Sequence, residues 1–313
     1  MDAVLRMCAV PDGWSGTQFD KPTGNCCTSP GVGTQVEPAL GACWSMARAL
    51  LSQRTFLAAR ALSASRCLHG SAEEPRILHD ANEWLVLHKP AGWHSVAQRR
   101  SDVGGPATVE EWLHRKVPGQ DKLEEAGLCN RLDFVTSGCI LAAKNARTHG
   151  VLCRALKRDD IRKYYLALVA GTFQTGQGSF KLCFTGRYRR SKKVSVSESG
   201  PQRSQGSCAW RVLARDLIAL PALAASTRHG CPRDANASIR VSLIQVELLG
   251  AGQRHQIRAG MAYLGTPIVG DTLYGGPDWL HAGIALHANE ICLFGTSVCS
   301  PMPPHIGAFL ETT

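Results

Sequence analysis

Between residues 76 and 294 the chain is divided into apolar runs of strand length, and these outnumber the stretches with helical spacing. That imbalance restricts the fold more than any other feature. Runs at 76–80, 84–89, 138–144, 164–169, 207–213, 239–248 and 283–294 carry the aromatic and branched residues that suit a pleated sheet. Helical spacing occurs in three places. Thr108 followed by Glu111 forms a capping box that opens a helix through Leu113. Asn145 can cap a second helix with Val151, Leu152 and Leu156 on one side. A third, over 254–264, carries Ile257, Met261 and Leu264 as its buried stripe and stops at Gly265, with Pro267 beyond. Residues 216–238 read as a surface loop. Strands and helices do not alternate strictly, so the expected class is α+β, a mixed and largely antiparallel sheet with flanking helices.

Composition narrows the function classes. No apolar run reaches the roughly 18 residues a membrane-spanning helix needs, so no membrane partner is expected. The 35 Lys and Arg against 25 Asp and Glu give a formal net charge of +10. Such a balance suits a polyanionic partner, because neutralised phosphates release counterions, and equally a solubilising surface. The 13 cysteines are scattered, with no C-x-x-C and no histidine at zinc-ligand spacing. Reduced thiols in an intracellular compartment are therefore expected, Cys139, Cys183 and Cys292 being small core residues, and no metal. The glycines of 171–178 lack both Walker and dinucleotide spacing, which excludes a nucleotide-binding loop there.

Residues 1–72 differ from the rest, and 73–313 read as the folded domain. Residues 9–38, rich in Gly, Pro, Ser and Thr without periodicity, are expected to be disordered. Residues 38–72 contain no acid and carry Arg48, Arg54, Arg60 and Arg66 among Ala, Leu and Ser, the composition of an organelle transit segment. A mitochondrial or plastid destination follows, with Met46 as an alternative start. An ordinary amphipathic helix on the domain, and a cytoplasmic or nuclear protein, are the plainer alternative.

Three segments could carry chemistry. In Cys129-Asn-Arg-Leu-Asp133-Phe-Val-Thr-Ser-Gly138 a polar loop runs into a buried strand, which puts Arg131 and Asp133 at a sheet rim. A local ion pair would explain them equally well. In Gly250-Ala-Gly-Gln-Arg254-His-Gln-Ile-Arg258, the two arginines stand four apart on a helix flank. They form either a solvated basic face or a guanidinium aimed into a cleft. In Lys163-Tyr-Tyr165-Leu-Ala, the adjacent tyrosines face opposite sides of a strand, so one at most serves a given cleft.

Together these segments resemble a known family. Residues 130–138 are similar to the His-Arg-Leu-Asp-x-x-Thr-Ser-Gly signature of RluA-type pseudouridine synthases, and 163–171 to their Lys-x-Tyr-x-Ala strand. Gly252-Gln-Arg-His-Gln-Ile-Arg258 and Leu264-Gly-Thr-Pro-Ile-Val-Gly-Asp271-Thr-Leu-Tyr274-Gly275 resemble the next two family stretches, and Trp84-Leu-Val-Leu-His-Lys89-Pro90-Ala-Gly92 the opening one. The likeness runs from 76 to about 305, with its motifs in family order. Asn130 stands in place of the family histidine, His88 in place of an asparagine, Gln253 where arginine is usual and Arg254 where Thr or Ser is common.

The resemblance implies a sheet with a central RNA-binding cleft and an RNA-modifying isomerase. Asp133 would be the catalytic aspartate, as nucleophile or as base at the ribose, while the uracil leaves N1, turns and rejoins through C5. No cofactor and no metal is implied, and a monomer is expected. Arg258 would pair with Asp133 and face the cleft, so that Arg258→Ala inactivates without loss of fold. Tyr165 would pack on the uracil and assist proton removal at C5. Arg131 would fill the space left by the flipped uridine, and Lys163, Arg254, His255 and Gln256 would hold substrate. Lys181, Arg187, Arg189, Arg190, Lys192 and Lys193 read as a phosphate-contacting hairpin, with Tyr188 able to stack on a base. Two other readings remain: a catalytically silent RNA-binding relative, and a glycosidic hydrolase with Asp271 as its second acid.

Overall fold

The computed structural model describes residues 73–97, 107–186, 192–219, 239–278 and 283–307, all within one compact unit, Ala64–Thr313. The leader expectations, the tip of the basic hairpin and most of the 216–238 segment lie outside the described residues.

Ten strands form one sheet: β1 (Arg76–Asp80), β2 (Trp84–Lys89), β3 (Ser137–Ala143), β4 (Arg162–Ala170), β5 (Gln177–Thr185), β6 (Ser195–Ser197), β7 (Gln205–Ala219), β8 (Ile239–Leu249), β9 (Leu286–Leu293) and β10 (Thr296–Cys299). Their order is β1-β2-β3-β9-β4-β8-β7-β5-β6, with β10 added on β9. Among the described residues every strand pairing is antiparallel except β3 with β9, so the sheet is mixed as expected. Strand β10 was not anticipated, β5 and β6 were expected only as the arms of the basic hairpin, and β7 continues to Ala219, into the segment read as a loop.

At the parallel junction the backbones approach closely. Gly138 has φ +119, and a Cβ there would lie 2.2 Å from the carbonyl oxygen of Ala288, so a side chain is excluded. This tight pairing fixes where β3 begins and hence where the preceding loop is held.

Side-chain alternation on β2 and β3 then builds two cores. Leu85, Leu87, Ile140 and Ala142 face helix α1 (Val109–Lys116) through Val109, Trp112 and Leu113. Val86, Cys139, Leu141 and Ala143 face helix α2 (Ala146–Lys157) through Leu152 and Leu156. Both caps are as expected: Thr108 Oγ1 accepts from the Glu111 N–H at 3.1 Å, and Asn145 Oδ1 from the Thr148 N–H at 2.9 Å. Val151, however, is exposed on α2. A third core joins β4, β5, β7, β8 and β9 to helix α3 (Gln256–Tyr263). There Ile257 and Met261 are buried, but Leu264 follows the helix and is exposed, so the stripe ends a turn earlier than the spacing suggested.

Candidate active site

Arg258 is set on α3 with its side chain only 7% exposed. Its Nε donates to Asp271 Oδ2 at 2.7 Å and its Nη2 to Asp271 Oδ1 at 2.9 Å, a bidentate pair in which Asp271 is 1% exposed. The remaining nitrogen, Nη1, donates to Asp133 Oδ2 at 3.1 Å. The planar fork thus transmits a fixed orientation from a buried carboxylate to one that is 24% exposed. Burial works against the guanidinium charge, but the two carboxylates outweigh it and raise its pKa.

The loop carrying Asp133 is tied down on both sides. The Ser95 hydroxyl donates to the Leu132 carbonyl and accepts from the Leu132 N–H, both at 2.9 Å. Asn130 Oδ1 accepts from the Leu141 N–H at 2.8 Å, so the departure from the family histidine still anchors the loop to β3. Lys89, fully buried, donates to the carbonyls of Pro90 and Trp93 at 2.9 and 2.8 Å and to that of Phe134 at 3.5 Å. Desolvation lowers its pKa to about 7 against the attraction of Asp133.

His255 precedes α3 in a left-handed conformation, φ 55, unusual for a residue with a side chain. Its Nε2 stands 3.8 Å from Asp133 Oδ1, and burial lowers its pKa, so it is neutral near pH 7. The Tyr274 hydroxyl accepts from the Val194 N–H at 3.0 Å, which leaves its own proton for His255 Nδ1 at 2.8 Å. Arg258 lies over the Tyr274 ring, 5.4 Å from its centre. Tyr165 is buried near Asp133, and burial first, then that carboxylate, holds its phenol firmly protonated. Phe134, beside Asp133, is 41% exposed and packs against His94 at 4.6 Å between ring centres.

Among the residues singled out from sequence, the fold brings Asp133, Arg258, His255 and Tyr165 together. Arg131 is exposed at the same loop, in a loose 3.6 Å ion pair with Glu125 that leaves it free to swing. Four expectations need correction. Arg258 holds the buried Asp271 as well as Asp133, so its loss strands a buried charge. Gln256 is internal: its side chain accepts from the Gln253 N–H at 2.7 Å and donates to the Ser207 carbonyl at 2.8 Å, so it braces β7 instead of holding substrate. Lys163 is also buried; it donates to the Gly250 carbonyl, and desolvation lowers its pKa to about 8, so no phosphate reaches it. Arg254 does not share a helix flank with Arg258, because His255 breaks the path; its Nη2 donates to the Lys192 carbonyl at 2.9 Å.

Gln253 donates to the carbonyls of Arg203 and Gln205 at 3.0 and 3.1 Å, a bracing role where the family arginine would stand. Strands β5 and β6 form the stem of the expected hairpin, and Lys192 and Lys193 are exposed on its return. Arg187, Arg189 and Arg190 lie outside the described residues. The roles of Asp271, Tyr274 and Lys89 were missed, although each stands in a stretch that resembled the family.

The family model described as RNA pseudouridylate synthase matches residues 83–263. The uncharacterized RNA pseudouridine synthase YhcT of Bacillus subtilis is 30% identical over 218 residues, covering 69% of this chain and 62% of that protein. The dual-specificity RNA pseudouridine synthase RluA of Vibrio cholerae is 27% identical over 222 residues, covering 70% and 76%. The solved structure of human RNA Pseudouridylate Synthase Domain Containing 1 shares the fold with a TM-score of 0.54 at 24% identity, over 77% of this chain and 89% of that one. The chain thus spans less than two thirds of the Bacillus relative's length. With a matched segment that contains Asp133, Tyr165 and Arg258 and takes in more than half of the 313 residues, the chain belongs to the RNA pseudouridylate synthase family, of the RluA type.

Proposed function

We propose that this chain is an RNA pseudouridine synthase, an isomerase that converts uridine to pseudouridine through Asp133. One observation carries this reading: a partly exposed carboxylate held at 3.1 Å by a guanidinium that is itself fixed on a buried carboxylate. The arrangement keeps one partly exposed acid in a fixed orientation and needs no second one. Asp271 has both oxygens on Arg258 and no access to substrate, which disfavours a glycosidic hydrolase, since that chemistry uses two accessible carboxylates about 5–10 Å apart. Retention of Asp133, Tyr165 and Arg258 disfavours a silent RNA-binding relative. Incubation of the purified chain with RNA containing 5-tritiated uridine tests the proposal. Tritium release is expected; its absence from ribosomal, transfer and organellar RNA alike would remove it.

The flipped uridine must leave its stack, at a cost of roughly a few kcal/mol that neighbouring contacts offset. Phe134 is suited to receive an adjacent base, because stacking on an aromatic face contributes about 1–3 kcal/mol. Two variants separate binding from chemistry. Phe134→Ala should weaken RNA binding by about tenfold, in keeping with that stacking energy, with turnover at saturating RNA nearly unchanged. Tyr165→Phe should bind RNA normally and turn over more slowly, because the ring still packs on the uracil while the hydroxyl that relays the C5 proton toward the Asp133 carboxylate is lost. Equal kinetics in Tyr165→Phe and wild type would reduce Tyr165 to a packing role.

The acid-free, Arg-rich stretch 38–72 supports an organellar site of action, mitochondrion or plastid, and residues 1–72 as a segment separate from the catalytic domain. Fractionation of a tagged full-length chain beside one starting at Met46 tests this; an entirely cytosolic or nuclear signal from both would refute it.

A further inference from the structure

The cysteines carry no metal spacing along the sequence, yet the fold gathers three soft donors behind the catalytic loop. Cys129, His149 and Cys153 each present a ligand atom, and these atoms lie within 4.8 Å of one another. His149 and Cys153 stand four apart on α2 and so share a face. Cys129 ends the segment leading into Asn130, and its position is set from elsewhere: its N–H donates to the Leu141 carbonyl at 2.8 Å. His149 Nε2 lies 3.6 Å from Cys153 Sγ and 3.1 Å from the Leu128 carbonyl oxygen.

We propose that Cys129, His149 and Cys153 form a binding site for a thiophilic divalent cation of the zinc class. With metal–sulfur bonds near 2.3 Å and metal–nitrogen bonds near 2.0 Å, tetrahedral ligand atoms stand roughly 3.5–4 Å apart. The cluster therefore closes on an ion by moving each donor less than about an ångström. All three residues are half-buried, so an ion can enter while the surrounding backbone keeps the donors in place. The balance is simple. Both thiols lose their protons to solvent, the neutral imidazole moves its proton from Nε2 to Nδ1 as Nε2 turns from the Leu128 carbonyl to the ion, and a water takes the fourth position. Two thiolates then neutralise the dication, and nothing is oxidised or reduced. An ion there would pin α2 to the root of the catalytic loop.

The reduced full-length chain titrated with Co(II), a visible reporter of tetrahedral thiolate ligation, tests this. Saturable thiolate-to-cobalt and intense visible bands are expected, displaced by Zn(II). Cys129→Ser and Cys153→Ser should each weaken the affinity by about tenfold or more. Cys292→Ser, at a thiol outside the cluster, should leave it unchanged, and Zn(II) should raise the melting temperature of the wild type but not of Cys153→Ser. Serine is nearly isosteric with cysteine, and circular dichroism checks that each variant is folded. If one cysteine variant does not fold, the other and His149→Asn carry the comparison. Equal cobalt binding in the folded cluster variants and in Cys292→Ser, or a weak octahedral spectrum in the wild type, would overturn the site.

Discussion

Asp133→Asn is expected to lower pseudouridine formation by at least about a thousandfold, within the range that positioned acid–base and nucleophilic groups supply. RNA affinity should stay within a few fold. The amide keeps the shape of the side chain and can still accept the Nη1 hydrogen bond of Arg258 now made at 3.1 Å. What it loses is the charge and the lone pair available to attack the sugar or to take a proton from it. Because Asp133 is partly exposed, no buried ion is left without a partner in the folded chain. Tritium release and a filter-binding assay on the same RNA read the two quantities separately. Undiminished release by the variant would end the assignment of Asp133.

Arg258→Ala should fail in a different way. Its loss leaves Asp271, 1% exposed, with neither of its two charged hydrogen bonds. Breaking a buried pair on one side costs about 3–5 kcal/mol, and in a domain of this size that corresponds to a fall in melting temperature of about 10 °C. Activity should vanish as well, since Asp133 loses its orientation. Adding Asp271→Asn to Arg258→Ala removes the stranded charge and should recover part of the stability with no recovery of activity. Thermal melts and tritium release on the three variants decide the matter. An Arg258→Ala protein that melts like the wild type would show the ion pair to be dispensable to the fold.

Most strand positions, both helix caps and the loop holding Asp133 were legible because each depends on local pattern. Alternation on β2 and β3, Thr108 and Asn145 at the caps, and the loop that ends at Gly138 all act within a few residues. Depth was not legible. Spacing tells which side a residue faces, but whether that side is covered depends on segments far away. Gln256 is internal because Gly206 on β7 leaves room for it; a Cβ there would lie 2.4 Å from Gln256 Oε1. Lys163 is sealed by a contact with Gly250, 87 residues along. Arg254 leaves the expected flank because of one backbone angle at His255, which no periodicity encodes. The three clustered thiol and imidazole donors come from two elements, so no spacing rule along the chain could have joined them.

The bond between Arg258 and Asp133 joins residues 125 positions apart, with strands β3 to β8 lying between them along the chain. A chain cut short before α3 and Asp271 would carry its Asp133 loop without the guanidinium that orients it, and the proposed isomerisation would lack its catalytic geometry.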